Sequence, residues 1–441
     1  MDPFVHLHVA SGYSRQYGAS HPHVLVERAA EQEMDTLALT DRDGTYGAVK
    51  HALACRAAGI RPVLGVDLAV RPVVSSKGAT SSGQSHGGLS PYDVPGGPKP
   101  RTPVRGGAFR DDRLVPRVTF LALSGGASHS GGRAGWAAVC RLISAVQLSG
   151  ERGAPVGDLS VLAPWLESGD VVVLLGPASE VGAAMARRRE DLARAALAPW
   201  REVVPAENLL VELVSHRLPQ TGGSVWGPGT TPHAARMAGF ARSVGLGSVL
   251  TNAVRYADRR DAPVVDVLDA ARRLVALGSA DLKRHVGPAG FRANAEGFLK
   301  SGKQMLEVAE EIARLSGLGD SDREAHRLLA QTRQVADRCA LDPRADLGIG
   351  EVHFPTLVEE GALAPVTRPG ETYADVMLRQ RCEGAIGSRY GSAPRQRIWK
   401  RLDDELEMIR GLGYASYFLT VGDVTDLIRE MGVRCAGRGS G

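Results

Sequence analysis

Two groups of residues in this 441-residue chain have types and spacings that suit chemistry, and they lie at opposite ends. Near the C-terminal end, Gly437-Arg438-Gly439-Ser440-Gly441 sets a guanidinium and a hydroxyl among three glycines. Without Cβ atoms, successive backbone N–H groups can close on a phosphate, while the guanidinium adds charge and the hydroxyl a further donor. A plain Gly/Ser turn has the same composition, so the pentapeptide alone leaves both readings open. At the other end, His6 and His8 alternate on one apolar run, Asp41 directly follows a second, and His216 follows a third. Positions just past strand C-termini in a parallel α/β domain are where metals and ligands collect. A metal site is one reading, and histidines satisfied within the core or rim are the other.

Other charged clusters read as surface. Asp403, Asp404, Glu405 and Glu407 lie beside or opposite the helical face of Leu402, Leu406 and Ile409, as a solvated helix surface does. Arg187, Arg188 and Arg189 read as an exposed helix end rather than a DNA contact. The net charge of +4 permits nucleic-acid binding but falls short of a dedicated basic stripe. Cys55, Cys140, Cys339, Cys382 and Cys435 have no Cys-x-x-Cys spacing, which suggests neither a zinc knot nor a disulfide framework, and buried reduced thiols are expected. The start, MDPFVHLHV, fits no signal or transit peptide, and no apolar stretch approaches the ~20 residues of a membrane span. A cytoplasmic protein is expected.

The elements that must position these residues begin with strand, helix, strand, helix, strand: runs at 4–9, 36–40 and 62–70 alternate with helical stretches at 22–34 and 48–58. Ser20 is expected to cap the first helix and Gly59 to end the second, with right-handed parallel β/α units following from the spacing. Gly-, Ser- and Pro-rich tracts at 75–112 and 124–132 read as loop insertions. Four more apolar runs, at 118–123, 171–175, 209–214 and 249–254, bring the strands to seven, as in a distorted β/α barrel. After Tyr256 the texture turns helix-rich and charged, which sets a domain boundary near residue 275. Close to the C-terminus, Tyr417, Val421, Val424, Ile428 and Met431 share a helical face, and 433–436 reads as a short strand feeding the glycine loop.

The segments FVHLHVASGYS (4–14), ALTDRDGTYGAVKHALACRAAGIRPVLGVDL (38–68), VCRLIS (139–144), VELVSHRLP (211–219), AEGFLKSGKQM (295–305), RLDDELEMIRGLGYASYFLTVGDV (401–424) and the final GRGSG are collinear. Together they resemble the N-terminal PHP (polymerase and histidinol phosphatase) domain and the start of the palm in a bacterial C-family DNA polymerase, the DNA polymerase III alpha subunit, error-prone branch. The resemblance implies an α/β fold: a distorted seven-stranded β/α barrel over 1–275, then a helical connector and partial α+β palm of nucleotidyltransferase type over 276–441. It implies that Arg438, Gly439 and Ser440 hold the triphosphate of an incoming nucleotide. Palm aspartates beyond this loop would carry two Mg2+ ions that activate the primer 3′ hydroxyl. On this reading the sequence is the front part of a larger enzyme with no catalytic residue of its own. Primer-template DNA and deoxynucleoside triphosphates would be partners of the full-length enzyme, with a sliding clamp and accessory mutagenesis proteins as further candidates and no membrane.

At the metal positions the chain departs from the family. His8 is kept but Ala10 stands for its partner; Asp41 is kept but Arg42 follows in place of His. Asp67 replaces Glu, Arg117 replaces His, and Ala253 and Arg255 replace Asp and His. With only His6, His8, Asp41, Asp67 and His216 remaining, no bound metal cluster and no PHP hydrolase activity are expected. Arg42, Arg117 and Arg255 would either pair with Asp41 and Asp67 as substitutes for the cations or point into water from an eroded site. Two other functions stay open: a PHP-type metal-dependent phosphoesterase, and a non-catalytic, truncated polymerase-like protein that binds protein partners.

Overall fold

Inward-facing and outward-facing residues alternate along every strand of a six-stranded sheet, ordered β1-β2-β3-β4-β5-β6, and this alternation separates two apolar layers. In the computed structural model, which describes residues 4–73, 115–124, 131–149, 155–218, 227–273, 276–277, 294–355, 370–391 and 395–436, the strands are β1 (Thr36–Leu39), β2 (Arg61–Ala69), β3 (Arg117–Ala122), β4 (Val171–Leu175), β5 (Leu209–Val214) and β6 (Gly247–Thr251). Leu64, Val66, Val118, Phe120, Val173 and Val211 pack outward against helices, while Val63, Leu121, Val172, Leu174, Leu210 and Val249 pack inward.

Among the helices, α1 (Pro22–Glu31), α2 (Ala48–Ala58), α3 (Gly132–Ser149), α4 (Leu159–Leu166), α5 (Glu180–Ala186), α6 (Glu190–Val203) and α7 (Thr231–Ser243) follow the strands, and α8 (Ala262–Arg273) follows the last of them. Gly59 ends α2 with φ +70°, a left-handed value that favours glycine. Ser20 does not cap α1. The helix starts at Pro22 with no side-chain cap, and the Ser20 hydroxyl instead accepts from Ala257 N at 2.9 Å.

The sheet is not all parallel. Strand β3 runs antiparallel to both β2 and β4, with Asp67 opposite Thr119 and Ala69 opposite Arg117. No helix lies between β2 and β3 among the described residues, so nothing there forces the return crossover that makes a parallel pair. The run expected as the first of seven strands is extended but forms no ladder. His6 O accepts from Ala38 N (3.1 Å) and Val9 O from Thr40 N (2.8 Å), so three steps on one side face two on the other, as at a bulge. On its far side Val254 N donates to His8 O and Ala10 N to Val254 O, so the segment bridges the two edges of the six-stranded sheet.

Two further helices, α9 (Gly302–Ser316) and α10 (Ser321–Cys339), pack on this barrel. Val335, Ala336 and Cys339 of α10 enter the inward apolar cluster, and Leu250 N donates to Thr332 Oγ1. The chain accordingly divides into units Met1–Ile349 and Gly350–Gly441, and the texture change near residue 275 lies within the first. The second unit holds α11 (Tyr373–Tyr390), α12 (Arg395–Leu412) and α13 (Ala415–Glu430) around a small core of Leu378, Leu406, Ala415 and Leu419. The expected strand at 433–436 has no β-pairing. The insertions at 75–112 and most of 124–132, and the loop with Arg438, Gly439 and Ser440, lie outside the described residues.

Candidate functional site

The barrel end that carries the C-termini of β1, β2, β5 and β6, and the N-terminus of the reversed β3, is polar and almost closed. It gathers most of the residues expected at a metal site, yet each is already engaged. Asp41, just past β1, accepts from Ser11 N (2.7 Å), from the Ser11 hydroxyl and from the Ser14 hydroxyl (2.7 Å). Burial raises its pKa in spite of these donors. Asp67, inward-facing on β2, receives Arg117 Nε at 2.9 Å and Arg42 Nε at 3.3 Å. Burial opposes its charge, but the Arg117 and Arg42 guanidiniums prevail and hold its pKa below the usual range.

Arg117 reaches further. One Nη2 donates both to Asp43 Oδ1 (2.9 Å) and to the backbone carbonyl of Asp67 (2.6 Å), and the side chain is only 7% exposed. Burial works against this charge too, and the Asp43 and Asp67 carboxylates more than offset it, raising its pKa. Arg255, past β6, sits 14 residues from its partner and forms a two-pronged pair with Asp269 on α8, at 2.7 and 3.1 Å, while also donating to the Tyr17 carbonyl. Between the two groups lies the ring of Tyr17, with the Arg42 guanidinium carbon 3.4 Å from its centroid and that of Arg255 at 4.0 Å.

Each histidine spends one ring nitrogen on a neighbour. His6 is fully buried, its Nε2 donates to Lys300 O (2.8 Å), and burial pushes its pKa down to about 4. His216 Nε2 donates to Asn252 O at 2.7 Å. His8 Nδ1 lies 2.7 Å from Glu212 Oε1, which also accepts from Thr251 Oγ1. Burial opposes protonation of His8, but Glu212 and then Asp67 raise its pKa above the ordinary value. Ala10 and Ala253 contribute no donor, and Ala253, with φ +41°, packs with Val214 and Leu218.

A cation cluster needs several nitrogen and oxygen donors with lone pairs turned toward one point. Here the Asp67 carboxylate is taken by guanidiniums and the Asp41 carboxylate by hydroxyls and an amide, while His6 and His216 each spend one ring nitrogen on a backbone carbonyl. Among the described residues no group of three or more His, Cys, Asp or Glu is arranged to hold a metal ion. The residues present therefore do not fit the family's cation cluster.

Several participants escape a motif-based reading. Glu212 had a signal: it sits between Leu210 and Val214 on the inward face of an otherwise apolar strand, where a carboxylate must have partners. Nothing about Asp43 marked Arg117 on β3 as its partner, and Tyr17 and Asp269 carried no signal. Nor did Lys300, 1% exposed, whose ammonium donates to Asn252 Oδ1 and the Glu296 carbonyl and pairs with Glu296 Oε2 at 3.1 Å. Burial lowers its pKa to about 8.

A β/α barrel with this residue pattern defines the class: residues 6–216 match the PHP domain family, and residues 376–441 match the bacterial DNA polymerase III alpha NTPase domain. In both segments the chain is similar to bacterial DNA polymerase III alpha proteins. It is 28% identical over 99% of its length to an error-prone DNA polymerase of Mycolicibacterium paratuberculosis, and 24% identical over its full length to a DNA polymerase III subunit alpha of Saccharopolyspora erythraea. It spans about a third of the length of these relatives. A solved amidohydrolase from Chromobacterium violaceum covers 57% of this chain and 87% of its own at 14% identity, with a TM-score of 0.30, too low to carry an argument.

Proposed function

We propose that this chain serves as the N-terminal, non-catalytic part of a DNA-directed DNA polymerase of the error-prone type, acting in replication and repair. The observation that carries this reading is the ordered pair of matches, a PHP domain followed by the NTPase-domain segment, in a chain aligned throughout to polymerases. Arg438, Gly439 and Ser440 would hold the nucleotide triphosphate, and Mg2+ would be held by carboxylates of the polymerase beyond this loop. DNA, deoxynucleoside triphosphates, a sliding clamp and accessory proteins would be partners of that complete enzyme in the cytoplasm. Among the described residues no helix is long and apolar enough to cross a membrane.

The second unit supports the same reading. On α13 the Tyr417, Val421, Val424 and Leu427 side chains are about half exposed, and Met431 beyond its end is more exposed still, a larger apolar face than its few buried residues balance. The reading is tested by joining the chain to the downstream two thirds of an error-prone relative and assaying primer extension. Mg2+-dependent extension by the joined protein, lost on Arg438→Ala, is expected, with none by the chain alone. The phosphoesterase alternative requires the opposite: metal-dependent phosphate-ester hydrolysis by the free chain.

A further inference from the structure

We propose that Arg42, Arg117 and Arg255 have taken over the cross-linking that divalent cations perform in the metal-binding form of this barrel, and that the specific task of Arg42 and Arg255 is to pin residues 11–20 across the barrel mouth. The proposal does not depend on the polymerase reading. It rests on where the three guanidiniums stand and on what each one ties together.

Arg117 and Arg42 converge on Asp67, which joins the ends of β1, β2 and β3. Arg117 extends the join to Asp43 in the turn after β1. Arg255 ties the segment after β6 to α8 through Asp269 and reaches back to the Tyr17 carbonyl. The Tyr17 ring, buried between Arg42 and Arg255, couples the two sets. The ends of β1, β2 and β3, and the segment after β6 with α8, are thus drawn together by planar forks that hold their charge without exchange into solution.

The segment 11–20 has few other ties of comparable reach. Gly12 N donates to Ser20 O and Gly18 N to Ser14 O, both within the segment, while Ala19 N donates to Arg255 O. Asp41 holds Ser11 and Ser14 at its near end. The far end is held by Arg255 and the stack on Tyr17, with Ser20 Oγ also accepting from Ala257 N, so loosening Arg255 or Tyr17 should free residues 12–19 before the barrel itself opens.

Amide hydrogen exchange on the whole chain tests this. Arg255→Met is expected to raise exchange at Gly12, Gly18 and Ala19 by at least about tenfold while Leu197 and Trp200 on α6 stay protected. Tyr17→Leu removes the stacked ring but no charge and is expected to loosen the same amides, so the test survives if Arg255→Met does not fold. Unchanged exchange at these amides in either folded variant would overturn the proposal. So would slower exchange there when Mn2+ or Zn2+ is added to the unaltered chain, because a metal would then be acting as the cross-link.

Discussion

Burying a carboxylate on a barrel strand is costly unless its oxygens find donors, and Glu212 shows how closely its surroundings are fitted to it. Oε1 takes His8 and Thr251, and Oε2 lies where a Cβ on Gly176 would come within 2.0 Å. Gly176→Ala should displace the carboxylate and destabilise the first unit by about 1–3 kcal/mol, measured by thermal unfolding; an unchanged midpoint would contradict the packing. The buried histidines supply a pH test. Burial pushes His51 and His233 from 6.5 down to about 4, each with Nε2 against a backbone carbonyl. The unfolded chain binds these protons as pH falls through 6.5 while the folded chain resists until about 4, so stability is full above that window and lost progressively through it. His233→Gln should flatten the drop in denaturant midpoint between neutral and acid pH, and an undiminished drop would count against a neutral His233. At this scale the sequence displayed the ligand losses plainly, because Arg42, Arg117 and Arg255 stand at motif positions. It did not display Asp269 or Tyr17, since a contact with one partner in a loop has no period.

Among the elements, apolar runs made the strands visible and Gly59 marked a helix end, both local effects. The direction of β3 was invisible because side-chain alternation is the same whichever way a strand runs. The place of α10 was equally hidden. Its amphipathic pattern shows that it has an apolar face, not that Val335, Ala336 and Cys339 fill one end of the barrel. A fragment ending at residue 275 lacks α9 and α10 and leaves Val5, Leu7, Val63 and Val249 without their cover. It should therefore fail to give a cooperative thermal transition, whereas a fragment of residues 1–349 should unfold in a single one. Equal cooperativity of the two fragments by circular dichroism would show that α10 is dispensable.

For the whole molecule, the two units differ in how completely they bury their apolar residues. The first has layered clusters on both sides of its sheet, and the second has a handful of buried side chains and an open α13 face. Val424→Asp on that face should change the chain's own stability by less than about 0.5 kcal/mol, since Val424 is 52% exposed, while impairing the joined polymerase of the extension assay. Arginine–carboxylate pairs, rather than cations, hold this barrel mouth together on the reading proposed above. The most direct test is to expose the purified chain to Zn2+ and Mn2+, desalt it, and measure bound metal together with the melting midpoint before and after a chelator. Only trace metal and one unchanged midpoint are expected; stoichiometric metal that raises the midpoint and is stripped by the chelator would show that cations still hold the barrel.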